Sequence, residues 1–316
     1  MSETGRALWY VGAGRAEIRD ERLDAAGAGH VRVRALHGAI SRGTESLIAA
    51  GRVPVSEFQR MRAPFMAGAF PFPVKYGYAT VGVADGATVF TLHPHQTLFD
   101  VPGEAAVPVP SSVPAYRAIL AANMETALNA VWDAGDGPFG KVAVVGAGVV
   151  GALTGYLLRR LGDADVILVD VDPARAALAS TLGLGFAAPA DAPGECALVV
   201  HASASAQGLA TALALAGNEA TVLELSWYGD TDVAVPLGGA FHSRRLKLIA
   251  SQVGQVAPSH RREWSYRRRL EKALSLLDDD RLDALIEPSV TFESLPAELP
   301  RILRPGAGIL CQRIDY

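Results

Sequence analysis

Apolar and polar positions change rhythm near the middle of the chain. In the first third, Ala7-Leu8-Trp9-Tyr10-Val11 and Glu17-Ile18-Arg19 read as strands, and Val31-Arg32-Val33-Arg34-Ala35 alternates with period two, the mark of half-buried antiparallel strands. One short helix is predicted at Gly43 to Ala50, then a loop at 52 to 73 rich in Pro, Phe and Met. More strands follow at Val74 to Val83, Thr88 to Leu92 and Leu98 to Val101, separated by Gly and Pro. This part predicts a compact, barrel-like β domain. Ser111-Ser112-Val113-Pro114 marks a helix start, and two helical stretches run to about Asp133. Beyond the turn at Gly135 to Gly140, strands alternate with helices: Val142 to Val145, Val166 to Val169, Ala197 to Val200, a helix at 206 to 216, Ala220 to Leu225 and Leu246 to Ala250. Such alternation predicts a doubly wound parallel sheet, so the fold class is α/β. The last 60 residues return to a mixed pattern ending in a strand at Ile309 to Ile314. No internal repeat or low-complexity segment interrupts the chain.

The densest chemistry lies at 141 to 172, KVAVVGAGVVGALTGYLLRRLGDADVILVDVD. A buried strand leads into Gly146-x-Gly148-x-x-Gly151. The first glycine allows the tight turn, the second a close approach of backbone to pyrophosphate, and the third helix-on-strand packing. Val149 and Val150 open the helix, where unpaired N–H groups suit a phosphate. Asp170 ends the next apolar run, where a carboxylate can accept hydrogen bonds from an adenosine ribose. Glycine turns also arise for packing alone, but the strand before, the helix after and the acid beyond are the context that dinucleotide binding requires. Asp172 adds a second carboxylate that opposes a 2′-phosphate, so NAD is expected over NADP. Arg175 is the one cation placed to favour NADP. Residues 142 to 158 carry no charge and contain Gly151-x-x-x-Gly155, but four glycines and a length below about 20 residues argue against a membrane helix.

Composition narrows the setting. With 316 residues, half of them hydrophobic, a fifth charged and a net charge of −4, the chain is long enough for two domains, and nothing suggests disorder. The mild acidity argues against a nucleic-acid surface. The arginines at 261, 262 and 267 to 269 alternate with Trp264, Leu270, Ala273, Leu274 and Leu277 at helical spacing, which predicts a solvated helix face. Cys196 and Cys311 are too few for a disulfide framework or a four-cysteine zinc lobe. No basic start followed by an apolar run precedes the first strand, so no signal peptide and a cytoplasmic location are expected.

The order of elements resembles the medium-chain dehydrogenase/reductase superfamily. The likeness is carried by Gly38-Ala39-Ile40-Ser41-Arg42-Gly43-Thr44-Glu45, the strand Tyr76-Gly77-Tyr78-Ala79-Thr80-Val81-Gly82, Glu125-Thr126-Ala127-Leu128 and the Gly146 motif; AISRGTE also resembles the bacteriochlorophyllide dehydrogenase branch. The resemblance implies a GroES-like catalytic domain at about 1–119 and 256–316, a Rossmann domain at about 120–255, and a site in the cleft between them. It implies hydride transfer between NAD(P)(H) and an alcohol/carbonyl pair, with a small molecule as partner and a homodimer as an open expectation. Enone or quinone reduction and a non-catalytic dinucleotide sensor are the alternatives. The positions matching the family's zinc ligands hold Ser41, Tyr78 and Ala122, and residues 93 to 103 run HPHQTLFDVPG where the four-cysteine lobe would be. This departure implies the zinc-lacking branch, with metal-free proton handling.

The resemblance places Thr126 against the nicotinamide and Arg42 near the cofactor phosphates, with helix capping or surface placement as the competing reading of each. Ser41 and Tyr78 would line the substrate cleft, where a hydroxyl can polarise a carbonyl or relay a proton, or would be only a polar wall. His93-Pro94-His95-Gln96 reads as structural, as a proton-transfer group through His95, or least readily as a metal site. Glu125 is either a charge near the cofactor or a salt-bridged helix residue. Glu45 and Lys75 are lesser candidates. His201-Ala202-Ser203-Ala204-Ser205 and Ser226-Trp227-Tyr228-Gly229 follow strands, at the carboxyl ends where parallel sheets bind ligands, so Ser203, Ser226 and Trp227 are expected at the cofactor. Trp227 and Tyr228 read equally well as core or dimer-contact aromatics.

Overall fold

The computed structural model describes residues 3–316. In chain order its elements begin β1 (Glu3–Gly12), β2 (Arg15–Leu23), β3 (His30–Ile40), α1 (Arg42–Ala49), β4 (Ala67–Gly68), β5 (Val74–Lys75), β6 (Thr80–Ala84), β7 (Ala87–Thr91), β8 (Leu98–Pro102), β9 (Val107–Pro108), α2 (Ala115–Ala118) and α3 (Ala121–Ala134). They continue β10 (Lys141–Val145), α4 (Val149–Gly162), β11 (Asp165–Val169), α5 (Arg175–Thr181), β12 (Gly185–Ala187), β13 (Cys196–His201), α6 (Ala206–Leu215), β14 (Ala216–Glu224) and β15 (Lys247–Ala250). The chain closes with α7 (Tyr266–Ser275), β16 (Ile286–Thr291), α8 (Leu295–Ile302) and β17 (Cys311–Asp315). Two compact units result, one of Met1–Ala122 with Leu270–Tyr316 and one of Asn123–Arg269.

The first unit holds a four-stranded sheet, β2-β1-β5-β4, and a seven-stranded sheet in which β16-β17-β3-β6-β7-β9 run side by side and β8 pairs with β3. The alternation of β3 is realised as written: Val33 and Ala35 are buried with Phe99 and Val101, while Arg32 lies on the other face, its Nε donating to Asp100 Oδ1 at 2.9 Å. β17 pairs antiparallel with the end of β3, Gln312 opposite Ile40 and Asp315 opposite His37. The terminal strand therefore pins the backbone one residue before Ser41.

The second unit is built on a six-stranded sheet, β12-β11-β10-β13-β14-β15, with every neighbouring pair parallel. This is the doubly wound order, and its direction reverses between β10 and β13, the place where such sheets take ligands. β10 is apolar because both faces are covered: Ala143 and Val145 share a core with Val199, Leu209, Leu213 and Val222. Residues 151 to 158 of α4 are all buried, which accounts for their lack of charge; Arg159 and Arg160 complement its C-terminal turn before Asp163 ends it in the left-handed region. Among the described residues no helix is long and apolar enough to cross a membrane.

Two expectations change here. Residues 256–269, read with the returning segment, pack in the second unit: Ala257 N donates to Asn129 Oδ1 at 3.1 Å, and His260 stacks on Trp132 with centroids 4.2 Å apart. The arginine-rich face is only partly solvated. Arg267 and Arg268 are exposed, but Arg269 is 2% exposed, because Glu125 and several carbonyls satisfy it.

Candidate functional site

In the second unit, β10 delivers the chain to Gly146, whose φ of +106° suits glycine. A Cβ there would lie 2.7 Å from Ser203 N, and a Cβ on Gly151 would lie 2.0 Å from Gly146 O; a Cβ on Gly148 would meet nothing within 4 Å. Packing within the protein thus demands two of the glycines, whereas the third, at the N-cap of α4, borders open space. The first-turn N–H groups of Val149, Val150 and Gly151 lack intrahelical partners and suit an anion. Asp170 closes the rim. Its Oδ2 accepts the Ala147 N–H at 2.7 Å and its Oδ1 the Asp172 N–H at 2.9 Å, which fixes the carboxylate and leaves lone pairs for hydroxyl donors. This cradle fits a dinucleotide. Arg175 is turned to the neighbouring acid, its Nε 3.4 Å from Asp172 Oδ2.

Across the reversal point, β13 ends on His201, whose ring is fully buried. Its Nδ1 lies 2.7 Å from Glu224 Oε2 and its Nε2 2.7 Å from Ser203 Oγ. Glu224 also accepts from Ser226 N at 2.7 Å and from the Tyr228 hydroxyl at 3.1 Å. Burial pushes the Glu224 carboxyl up, but His201 and Ser226 outweigh it and hold the group below the usual carboxylate range. Ser226 Oγ accepts the Ala204 N–H at 3.0 Å. The sequence pointed to Ser203 and Ser226 but not to Glu224 or to the role of His201. An ionisable residue closing a buried apolar strand was the available signal. Trp227 is half-buried beside this network.

In the first unit a second network forms around Glu45, a fully buried carboxylate in the first turn of α1. Its Oε1 accepts the Ser41 N–H at 2.8 Å. Its Oε2 accepts the Tyr10 hydroxyl at 2.7 Å and lies 2.9 Å from His95 Nε2. Three donors satisfy a charge that would otherwise be costly to bury. The Tyr78 hydroxyl donates to Ser41 Oγ at 2.6 Å, which leaves the Ser41 proton for another acceptor. Ser41, Tyr78 and His95 are therefore joined through Glu45, which sequence reasoning ranked as minor. Among the described residues His95 Nδ1 is buried with no hydrogen-bond partner. Burial pushes the Tyr78 phenol up to about 12, opposed by its bonds to Ser41 and Thr44 and aided by the Glu45 charge. The charge that faces Tyr78 is the Glu45 anion, which together with burial keeps the phenol protonated at neutral pH.

Arg42, expected at the phosphates, instead clamps the C-terminal segment: Nε donates to Ile302 O at 2.8 Å, and its two terminal nitrogens to Ile309 O at 2.6 Å and Arg304 O at 3.0 Å. Glu125 takes the salt-bridge reading, its Oε1 accepting from Arg269 Nε at 3.0 Å; burial raises its pKa while Arg269 pulls the other way. Thr126 is half-exposed on α3. His93 is a packing residue, stacked on Phe99 with centroids 3.6 Å apart, and burial lowers its pKa to about 3. Lys75 Nζ is taken by Glu21 at 2.6 Å and Gln96 at 2.9 Å.

Among the described residues no group of three or more His, Cys, Asp or Glu side chains converges as metal ligands.

The two units, one β-rich and one built on a doubly wound parallel sheet, have the fold of solved dehydrogenase structures. Among solved structures the chain is similar to L-idonate 5-dehydrogenase from Escherichia coli K-12 MG1655, at 14% identity and TM-score 0.81 over 100% of this chain and 99% of that one. It is also similar to a thermostable alcohol dehydrogenase from Pyrobaculum aerophilum, at 16% identity and TM-score 0.78 over 99% and 100%. A proposed zinc-binding dehydrogenase from Sinorhizobium meliloti 1021, solved bound to NADP, matches at 18% identity and TM-score 0.78, again over 99% and 100%. At these identities the likeness carries the fold. No protein-family model and no curated protein sequence matches the chain.

Proposed function

We propose that the protein is a nicotinamide-dependent oxidoreductase that moves hydride between NAD(H) and a small or mid-sized alcohol/carbonyl pair. The observation that carries this reading is the cradle of Gly146, Gly148 and Gly151 closed by Asp170: packing explains two of the glycines but not the open side of Gly148. Val149, Val150 and Gly151 would hold the pyrophosphate, Asp170 a ribose, and Ser203, Ser226 and Thr126 the remainder. Bound there, the nicotinamide supplies or takes the hydride. The first unit handles the proton. Tyr78, a phenol throughout the neutral range, donates to Ser41, and Ser41 donates to the substrate oxygen, polarising a carbonyl as it gains charge. Glu45 and His95 hold the Ser41 backbone and the packing around it in place.

The chemistry runs without zinc in this reading, because the positions that match the family's ligands by resemblance are Ser41, Tyr78 and Ala122, a hydroxyl, a phenol and a methyl. Metal analysis of protein purified without chelators tests this: stoichiometric zinc whose removal abolishes activity would sink it. Two free, buried cysteines suit a cytoplasmic setting. The exposed edge strand β15, with Leu248 and Ile249 on it, supports a homodimer, which sedimentation would detect. Screening alcohols, aldehydes, enones and quinones for a change in nicotinamide absorbance tests the activity. Turnover of alcohols or aldehydes is expected; turnover of enones or quinones alone would make it a double-bond or quinone reductase, and NADH binding with no turnover would make it a sensor.

A further inference from the structure

We propose that Glu224 and His201 set Ser203 as a proton-linked acceptor for a ribose hydroxyl of the bound dinucleotide, so that cofactor affinity follows the protonation of a buried imidazole. The inference rests on the NAD(H) reading above. Its location comes from topology. β10 and β13 flank the reversal of the sheet; Gly146 follows the first and Ser203 the second, and a Cβ on Gly146 would come within 2.9 Å of Ser203 Cα. Ser203 thus borders the turn that receives the cofactor, and it is half-exposed.

The direction of each hydrogen bond follows from which groups can donate. An ionised Glu224 is only an acceptor, so Nδ1 of the neutral ring, 2.7 Å away, carries the proton and Nε2 is bare. Nε2 then accepts the Ser203 hydroxyl at 2.7 Å. Ser205 Oγ already accepts the Gly208 N–H at 3.0 Å and is 3.0 Å from Ser203 Oγ, so its own proton goes to Ser203. With its hydrogen committed and one lone pair used, Ser203 offers a ligand a lone pair and nothing else. The pyrophosphate of a dinucleotide brings no proton at neutral pH; a ribose hydroxyl does, and is the partner this arrangement selects.

Protonating His201 reverses the polarity. Nε2 then donates, Ser203 accepts from it, and the serine hydrogen turns outward, a mismatch for a hydroxyl held as donor. Every group within reach of the ring takes part: Glu224 from β14, Tyr228 and Ser226 from the loop after it, and Ser203 from the turn before α6, whose Gly208 is required because a Cβ there would lie 2.0 Å from Ser203 Oγ. β10 presents only the apolar Val145 beside His201.

NADH binding followed by nicotinamide fluorescence from pH 5 to 9, on wild type, Ser203→Ala and Glu224→Gln, tests the proposal. Wild type should bind about tenfold more weakly on the acid side of one step, the loss of one hydrogen bond. Ser203→Ala, in a half-exposed turn that tolerates it, should bind weakly at every pH without the step. Glu224→Gln should move the step to lower pH, because the imidazolium loses its counter-charge. Superposable wild-type and Ser203→Ala profiles, an unmoved step in Glu224→Gln, or affinity that rises on acidification as a positive His201 attracts the pyrophosphate would each overturn it. A flat wild-type profile with NADH bound removes this inference alone, whereas no NADH binding at any pH removes the NAD(H) reading as well.

Discussion

Tyr78 donates its hydroxyl to Ser41 Oγ at 2.6 Å, and the direction of that bond fixes which of the two can serve a substrate. With the phenol pushed up to about 12 by burial, Tyr78 keeps its proton from pH 6 to 10 and Ser41 is the group left to donate. Ser41→Ala should lower turnover in carbonyl reduction by about 100-fold, the scale of one lost transition-state donor, with little change in KM. Tyr78→Phe should cost about tenfold, since Ser41 remains. In wild type no alkaline fall in kcat due to Tyr78 should appear below about pH 11. Steady-state kinetics on an identified substrate decides it; full turnover in both variants would mean that the wrong residues carry the proton.

Gly148 and Gly151 stand three residues apart and should fail in opposite ways. Gly151→Ala drives a Cβ to 2.0 Å from Gly146 O, so α4 must shift on β10, at a cost of about 1–3 kcal/mol or more, visible as a lowered Tm. Gly148→Ala meets no protein atom within 4 Å and should melt as wild type does while NADH binding weakens at least tenfold. Thermal melts paired with NADH titrations separate the two. If Gly148→Ala binds NADH normally, the cradle is not the cofactor site.

In the proposed site a 2′-phosphate would face the carboxylates of Asp170 and Asp172, and Arg175 is turned to the second of them, its Nε 3.4 Å from Asp172 Oδ2. NADH should therefore bind at least tenfold tighter than NADPH, because like charges brought together are costly. Asp172→Ala, which removes one carboxylate together with its ion pair to Arg175, should narrow that gap. Tighter NADPH binding by the wild type would refute the preference.

What the sequence disclosed follows the range of each interaction. The period-two run at Val31 to Ala35 reports only its own two faces, and the glycine turn with Asp170 is a local device in which Asp170 bonds the Ala147 N–H 23 residues away inside one β-α-β unit. Both were legible. Glu45 was underrated because its partners Tyr10 and His95 lie 35 and 50 residues off, and no pattern announces a contact made by sheet packing. The contacts of Arg42 were hidden for the same reason: its guanidinium closes on carbonyls some 260 residues downstream. Arg269 sat in a run of arginines indistinguishable by charge, and only the position of Glu125 on α3 makes it the one that is buried.

His93 provides a pH signature of the first unit. Burial lowers its pKa to about 3 from an ordinary 6.5, its Nδ1 lying 2.9 Å from Pro94 O and its ring on Phe99. The unfolded chain therefore binds a proton between pH 6.5 and 3 that the folded chain refuses. Stability from this group is complete above pH 6.5 and falls as the pH drops towards 3, because the slope is positive wherever the unfolded state holds more protons. At pH 4.5 the loss amounts to about 2–3 kcal/mol relative to pH 7.5. His93→Phe keeps a ring against Phe99 and removes the titrating nitrogen, so its decline over this range should be shallower by that amount. Urea unfolding of both proteins at pH 7.5 and 4.5, with coincident m-values, measures the difference directly. Parallel declines would mean that His93 is protonated in the folded protein and that its stacked, neutral state is not the one populated in solution.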